Sequence, residues 1–189
     1  MFRDRADAGR QLATWLTPYA HRAGVVVLGL PRGGVPVAAE IAAHLDAPLD
    51  VFVVRKLGVP GHEELAMGAI ASGGARVLNE DVVAGLDIPA SMVEAVTRQE
   101  QAELQRRERL YRGDRGPVAA RGRLVILVDD GLATGATMRA AVQAARKLGA
   151  ARVVVAVPIG AGETCEEFRA EADETVCACT PEPFQTVGQ

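Results

Sequence analysis

The strongest constraint on the fold is a set of four short apolar runs that alternate with segments of helical periodicity. Each run is rich in β-branched residues and apolar at consecutive positions, as expected of a strand buried on both faces. The runs cover residues 25–30, 51–54, 124–128 and 153–157. This alternation predicts an α/β fold in which right-handed crossovers build a parallel sheet.

Further helices and strands complete this prediction. Helices are predicted over residues 36–45 and 136–148, after the first and third runs, and over 5–16 near the start of the chain. Weaker strands are predicted at 67–71 and 174–178. A chain of 189 residues is long enough to bury one full core, so we expect a single domain over 1–189.

A long amphipathic helix is predicted over residues 89–111, because Pro89 suits a helix start and apolar residues recur on one face. This helix is an insertion between elements of the predicted sheet, at about residues 89–112. We favour a solvated helix laid across the domain; a cap over the site or a dimer contact is the alternative. A phosphate facing its arginine cluster would favour the cap. The cluster consists of Arg106, Arg107, Arg109 and Arg112.

Composition argues against two classes of partner. A net charge of −3 disfavours a general nucleic-acid binder, which usually carries a basic stripe. The first residues are charged and no apolar run approaches membrane-spanning length, so we expect no membrane partner and a cytoplasmic location.

The three cysteines, Cys165, Cys177 and Cys179, are expected to be reduced and structural because their number is odd and their spacing irregular.

Two adjacent acids, Asp129 and Asp130, follow the third run, and a turn of small residues then opens the next predicted helix. The turn and the first helical residues are Ala133, Thr134, Gly135, Ala136 and Thr137. Backbone N–H groups and threonine hydroxyls at such a helix start form an anion cradle. The two carboxylates can accept hydrogen bonds from a vicinal diol or hold hydrated magnesium. Together these features describe a ribose 5-phosphate site.

Residues 125–137, VILVDDGLATGAT, resemble the motif with which type I phosphoribosyltransferases bind 5-phosphoribosyl-1-pyrophosphate (PRPP). The resemblance implies the parallel-sheet α/β fold of that family with flanking helices, here with an inserted long helix. It implies that Asp129 and Asp130 are catalytic residues that hold the ribose and Mg²⁺. It also implies that residues 133–137 bind the 5-phosphate.

A second match lies at residues 28–42, where the first run leads into Arg32, Gly33 and Gly34. This segment resembles the pyrophosphate loop of the same family. Two glycines expose backbone N–H groups, and the arginine guanidinium can fork onto phosphate oxygens. The resemblance also implies a strained or cis peptide in this loop.

The third match is residues 53–70, where Arg55 and Lys56 precede a glycine- and proline-containing loop. Adenine and orotate phosphoribosyltransferases carry a similar Arg-Lys pair before a mobile loop that closes over the substrate. Both residues are therefore candidate pyrophosphate ligands, and Lys56 is the candidate catalytic residue that stabilises the leaving group. The loop over 56–65 is expected to lack regular structure and to be mobile.

The acceptor is only partly constrained. Phe184 follows the last predicted strand, roughly where some purine enzymes of the family place an aromatic ring, so it is a candidate base-binding residue; an anchoring hydrophobe is the alternative. Hypoxanthine and guanine enzymes usually carry an aspartate at the position of Ala133, and alanine cannot handle a purine proton. A 6-oxopurine enzyme that uses this residue is therefore disfavoured.

These features favour an enzyme that transfers ribose 5-phosphate from PRPP to a nitrogen heterocycle, with Mg²⁺ as cofactor. The expected partners are PRPP, a small heterocyclic acceptor and a second copy of the chain in a homodimer. A noncatalytic PRPP- or nucleotide-sensing module is the alternative, since this fold also serves regulators.

Overall fold

The computed structural model describes residues 2–117 and 119–184, and in these ranges five strands form one parallel sheet. In spatial order they are β2 (Leu49–Val51), β1 (Val25–Gly29), β6 (Leu124–Val128), β7 (Arg152–Ile159) and β8 (Glu174–Cys179). The predicted α/β architecture with a parallel sheet is confirmed.

Helices cover both faces of this sheet, which explains why its central strands are apolar at every position. One face packs against α1 (Arg5–Trp15) and α2 (Gly34–Leu45), and the other against α5 (Ala136–Lys147) and α6 (Gly162–Glu171). Alternate residues of β6 enter the two cores: Val125 and Leu127 face α5, and Ile126 faces α2. A short 3₁₀ turn at Thr17–Tyr19 follows α1.

Three further strands form a second, antiparallel sheet, and here two predictions are wrong. The strands are β3 (Val54–Val59), β4 (His62–Ala71) and β5 (Ala75–Leu78), with a 3₁₀ turn at Ser72–Gly74. The run 51–54 is not one strand, because β2 ends at Val51 and β3 begins at Val54 in the other sheet. Residues 56–65 are not an irregular loop either, since they belong to the β3–β4 hairpin.

Apolar burial explains the hairpin. Leu57 and Val59 are buried on one side of β3 and pack with Met67 and Ile70 of β4. The turn between the strands needs a left-handed residue, which Gly61 supplies with a φ of 79°. The loop residues that looked irregular in sequence therefore have a core to pack against, and their mobility stays a prediction.

The long helix α4 (Ala90–Arg112) lies across β3, as the favoured interpretation has it, and follows the short helix α3 (Glu80–Gly85). Pro89 precedes the first helical residue, and Val93 and Leu104 are buried beneath the helix. Carboxylates engage three of its four clustered arginines, while Arg109 is exposed. Arg106 and Arg107 bind Glu103, and Arg112 binds Asp50 and Glu108. These three arginines thus pair with acids of α4 and β2.

The prediction that all three cysteines are reduced is wrong for two of them. Cys165 on α6 and Cys177 on β8 form a disulfide, with their Cα atoms 6.5 Å apart, while Cys179 is free. A strand and a helix that pack side by side bring the pair within disulfide reach, which their spacing in sequence does not reveal.

Within the described ranges, no helix combines the length and the apolar character that crossing a bilayer requires.

Candidate functional site

The carboxyl ends of β1 and β6 bring two of the sequence motifs side by side. The strands are neighbours in the sheet, and Gly29 pairs with Val128 at their last register position. The pairing continues one residue further, where the Leu30 N–H donates to the Val128 carbonyl at 2.8 Å. The loops that leave the two strands therefore share one edge of the sheet, which is where open α/β sheets bind ligands.

Glycines permit very close contact between these loops. A Cβ atom on Gly33 would lie 2.0 Å from Oδ2 of Asp130, and one on Gly34 would lie 2.5 Å from the carbonyl oxygen of Val128. The peptide between Pro31 and Arg32 is cis, as the resemblance implies. The Arg32 side chain is exposed at this edge. The sequence-predicted pyrophosphate loop thus rests directly on the acid pair.

The two acids differ in their surroundings. The pKa of Asp129 is raised to about 7, mainly by burial. The Asp130 N–H, which donates to Asp129 Oδ1 at 2.8 Å, opposes this shift, and the charge of Asp130 adds to it. Asp130 is instead paired with a cation, because Nη2 of Arg5 lies 2.7 Å from its Oδ2. Asp129 therefore titrates near neutral pH, while Asp130 is paired with an arginine.

The raised pKa of Asp129 predicts a pH-dependent stability. Between the ordinary value of 3.8 and about 7, the folded protein keeps a proton that the unfolded chain has lost. Stability contributed by this proton is complete below the lower value and is lost as pH rises through the upper one. We therefore expect Asp129→Asn to be more stable than wild type by about 1 to 3 kcal/mol at about pH 8, with a much smaller difference at about pH 4.5.

Denaturant unfolding in EDTA at the two pH values measures this difference. Asp114→Asn, which changes an exposed carboxylate, serves as the control. An Asp129→Asn difference that does not grow with pH would contradict the assigned pKa.

Hydrogen bonds to backbone carbonyl groups hold the segment between β6 and α5 in place. Arg139 donates to the Thr134 carbonyl at 2.9 Å, and the Thr164 hydroxyl donates to the Ala133 carbonyl at 2.7 Å. Leu132 pairs with the segment after β7, since its N–H donates to Ile159 and its carbonyl accepts from Ala161, both at 2.9 Å. Neighbouring elements therefore set the path of this loop.

The start of α5 combines a left-handed residue with an uncapped first turn. Gly135 has a φ of 74° and precedes Ala136, and no side chain of the described residues caps the helix. The first N–H groups of a helix have no intrahelical partner, and the helix dipole adds positive potential there. This end of α5, at the same sheet edge as Asp129, is therefore a candidate anion site.

Arg55 and Lys56 point to opposite sides of β3, because side chains alternate along a strand. Lys56 lines a cavity of about 470 Å³ together with Ala136 and Thr137 of the first turn of α5. Arg55 instead binds Glu100 of α4, with Nε 2.7 Å from Oε2. The structure therefore brings Lys56 toward the start of α5 and directs Arg55 away from it.

Comparison with known proteins decides the family. The family model described as the phosphoribosyl transferase domain matches residues 61–186. The chain belongs to this family. The matched range includes Asp129, Asp130 and the α5 start, while Arg32 and Lys56 precede it.

Relatives of this phosphoribosyl transferase domain extend the match to the whole chain. A Mycobacterium tuberculosis protein named as a candidate phosphoribosyl transferase is 56% identical over 189 residues, which are 100% of this chain and 42% of that protein. The chain thus spans about two fifths of the length of the curated relatives it matches.

Among solved structures, TT1426 from Thermus thermophilus is 44% identical with a TM-score of 0.86, covering 99% of this chain and 88% of that one. A purine phosphoribosyltransferase from Pyrococcus horikoshii has the same fold at 19% identity, with a TM-score of 0.51 over 96% of this chain and 89% of that one. The fold is therefore that of the type I phosphoribosyltransferases.

Sequence reasoning did not find Arg5, which contacts the acid pair, and it proposed Phe184, which lies apart from the pair. Arg5 lies 125 residues before its partner Asp130 and belongs to no motif, so no local signal could have found it. Phe184 is half-buried after β8, the edge strand, with β7 between β8 and the β1–β6 pair. It does not line the cavity beside Lys56, and its contact with a base stays a prediction.

Proposed function

We propose that this domain transfers ribose 5-phosphate from PRPP to a nitrogen atom of a small heterocycle and releases pyrophosphate. The observation that carries the proposal is the contact between the two loops at the β1 and β6 ends, where the backbone of Gly33 touches the Asp130 carboxylate. Such contact joins a candidate pyrophosphate loop to a candidate diol acceptor within the length of one PRPP molecule.

Each part of PRPP has a partner in this proposal. The carboxylates of Asp129 and Asp130 accept hydrogen bonds from the ribose diol, and the N–H groups of residues 133–137 hold the 5-phosphate. The pyrophosphate lies against residues 32–34 and is approached by Lys56. Arg55 is left out of this set, because its guanidinium is already paired with Glu100.

Magnesium is an expected cofactor, and the acid pair fits it. The described residues hold no group of three or more potential ligands from histidine, cysteine, aspartate and glutamate. Mg²⁺ is commonly held by one or two carboxylates together with substrate phosphates and waters, so Asp129 and Asp130 are sufficient protein ligands for a substrate-bridged ion. When bound, the ion would supply positive charge to the departing pyrophosphate.

The protein contributes orientation and electrostatics to the reaction. The bond between the anomeric carbon and the pyrophosphate oxygen breaks, and its electrons leave with pyrophosphate. The acceptor nitrogen bonds to the anomeric carbon, and a proton carried by that nitrogen is released to solvent. Positive charge develops on the sugar, which the carboxylates near the diol stabilise, while Lys56 and the residue 32–34 loop stabilise the leaving group. Fixing the sugar at its diol and its 5-phosphate aligns the anomeric carbon with the acceptor.

A screen of heterocyclic bases with PRPP and Mg²⁺, read as pyrophosphate release, tests the proposal. At least one base should give release that depends on both base and protein. Tight PRPP binding without release for any base would instead support the sensing module.

Lys56 and Arg55 provide a matched pair of variants within this assay. We expect Lys56→Ala to lower turnover about 10-fold to 100-fold, because a charge that stabilises the leaving group acts in the transition state. Arg55→Ala should leave turnover within about threefold of wild type and lower stability by about 1 to 3 kcal/mol, because Glu100 loses its partner. Equal turnover of Lys56→Ala and wild type would exclude the assigned role.

A further inference from the structure

An arginine outside all three motifs reaches the acid pair. Arg5 is the first residue of α1, and its guanidinium donates to Oδ2 of Asp130 from Nε at 2.8 Å and Nη2 at 2.7 Å. The Arg5 side chain is 58% exposed, whereas that of Asp130 is 20% exposed. The arginine therefore approaches the acid from the solvent side of the site.

Packing fixes the backbone of Arg5 near the pyrophosphate loop. The Asp4 carboxylate accepts the Asp7 N–H at 2.7 Å and caps the first turn of α1. One turn after Arg5, α1 packs closely on α2, since a Cβ on Gly9 would lie 2.8 Å from the Val37 carbonyl oxygen. Because α2 begins at Gly34, this packing holds the start of α1 beside the loop.

The position of the Arg5 guanidinium relative to that loop follows from their shared neighbour. The oxygen Oδ2 of Asp130 is both the one that a Cβ on Gly33 would approach to 2.0 Å and the one that the Arg5 guanidinium binds. The contact with Asp130 uses Nε and Nη2 of Arg5, so N–H groups of the guanidinium remain for another acceptor. A phosphate oxygen held by the Gly33 loop would lie within reach of such a group.

The arginines on either side of Arg5 in sequence have different partners. Arg3 binds Asp7 at 3.0 Å, and Arg10 binds Glu40 of α2 at 3.1 Å. Of Arg3, Arg5 and Arg10, Arg5 alone is paired with a residue of the candidate site.

We propose that Arg5 is a pyrophosphate-binding residue supplied by the N-terminal helix, an inference that rests on the proposed function. Without ligand, it neutralises Asp130. When PRPP binds, Asp130 accepts hydrogen bonds from the ribose diol instead. The Arg5 guanidinium then donates charge-assisted hydrogen bonds to phosphate oxygens of the pyrophosphate.

Calorimetry with two probes tests this role: inorganic pyrophosphate with Mg²⁺, and ribose 5-phosphate, which has the diol and 5-phosphate alone. We expect Arg5→Ala to weaken pyrophosphate binding about 10-fold or more and to leave ribose 5-phosphate affinity within about threefold. Arg5→Lys should restore part of the pyrophosphate affinity, because it keeps the charge and loses the fork. Arg10→Ala, a change of the same charge on the same helix, should affect neither probe.

Three results would overturn the assignment. Equal pyrophosphate affinity of Arg5→Ala and Arg10→Ala would remove Arg5 from the pyrophosphate site. An equal loss for both probes in Arg5→Ala would mean that Arg5 acts only by orienting Asp130. Failure of the wild-type protein to bind either probe would reject the proposed function together with this role, whereas the first two results reject the role of Arg5 alone.

Discussion

Asp129→Asn/Asp130→Asn is expected to lose at least about 100-fold in affinity for PRPP with Mg²⁺, because it removes both carboxyl groups that accept from the ribose diol and would hold the metal ion. An asparagine keeps the size of the side chain but offers one neutral oxygen in place of a carboxylate. The variant should still fold, since Asp129 is held at a raised pKa by burial and its charge destabilises the native state above about pH 7. Calorimetry measures the affinity.

A control for charge is available on the protein surface. Asp87 and Asp114 are exposed, and replacing both with asparagine alters the formal charge by the same amount. This control should bind PRPP within about twofold of wild type, because exposed charges are screened by solvent and salt. An acid-pair variant that binds as tightly as the control would remove Asp129 and Asp130 from the ribose site.

Gly135→Ala is expected to have the largest effect on stability, a loss of about 2 to 4 kcal/mol. Gly135 has a φ of 74°, and an added Cβ would lie 2.5 Å from Cε2 of Phe168. Phe168 is fully buried, so the ring has little room to move. The strain also falls at the α5 start, so phosphate affinity should decrease together with stability.

Gly162→Ala is the matched control for this substitution. A Cβ on Gly162 meets no atom within 4 Å, and its φ lies outside the left-handed region. Its free energy of unfolding should stay within about 1 kcal/mol of wild type. Denaturant unfolding of both variants measures the difference, and equal stabilities would show that neither the φ of Gly135 nor its contact with Phe168 constrains the loop.

The core strands and the two loops at their ends could be predicted because their signals are local. Residues 124–128 are apolar at consecutive positions, and the acids, small residues and helix start follow without interruption. A strand, a turn and a helix that are contiguous in sequence fix where the acids and the helix N-terminus must lie. The pairing of β1 with β6 then follows from the topology of parallel α/β sheets.

Features that depend on long-range packing could not be predicted in this way. The division of the run 51–54 between two sheets depends on a core that β3 shares with β4 and α4, and the same core turns the expected loop into a hairpin. Arg55 and Lys56 are adjacent in sequence, but strand pleating sends them to Glu100 and to the cavity beside α5. Arg5 reaches Asp130 only because α1 packs on α2.

A crystal structure of the protein with PRPP and Mg²⁺ is the most direct test of the central claim that PRPP spans the carboxyl ends of β1 and β6. The account predicts the 5-phosphate on the N–H groups of residues 134–137, the ribose diol on Asp129 and Asp130, and the pyrophosphate against residues 32–34. A PRPP molecule bound elsewhere, with the acid pair still held by Arg5 and no phosphate at the start of α5, would contradict it.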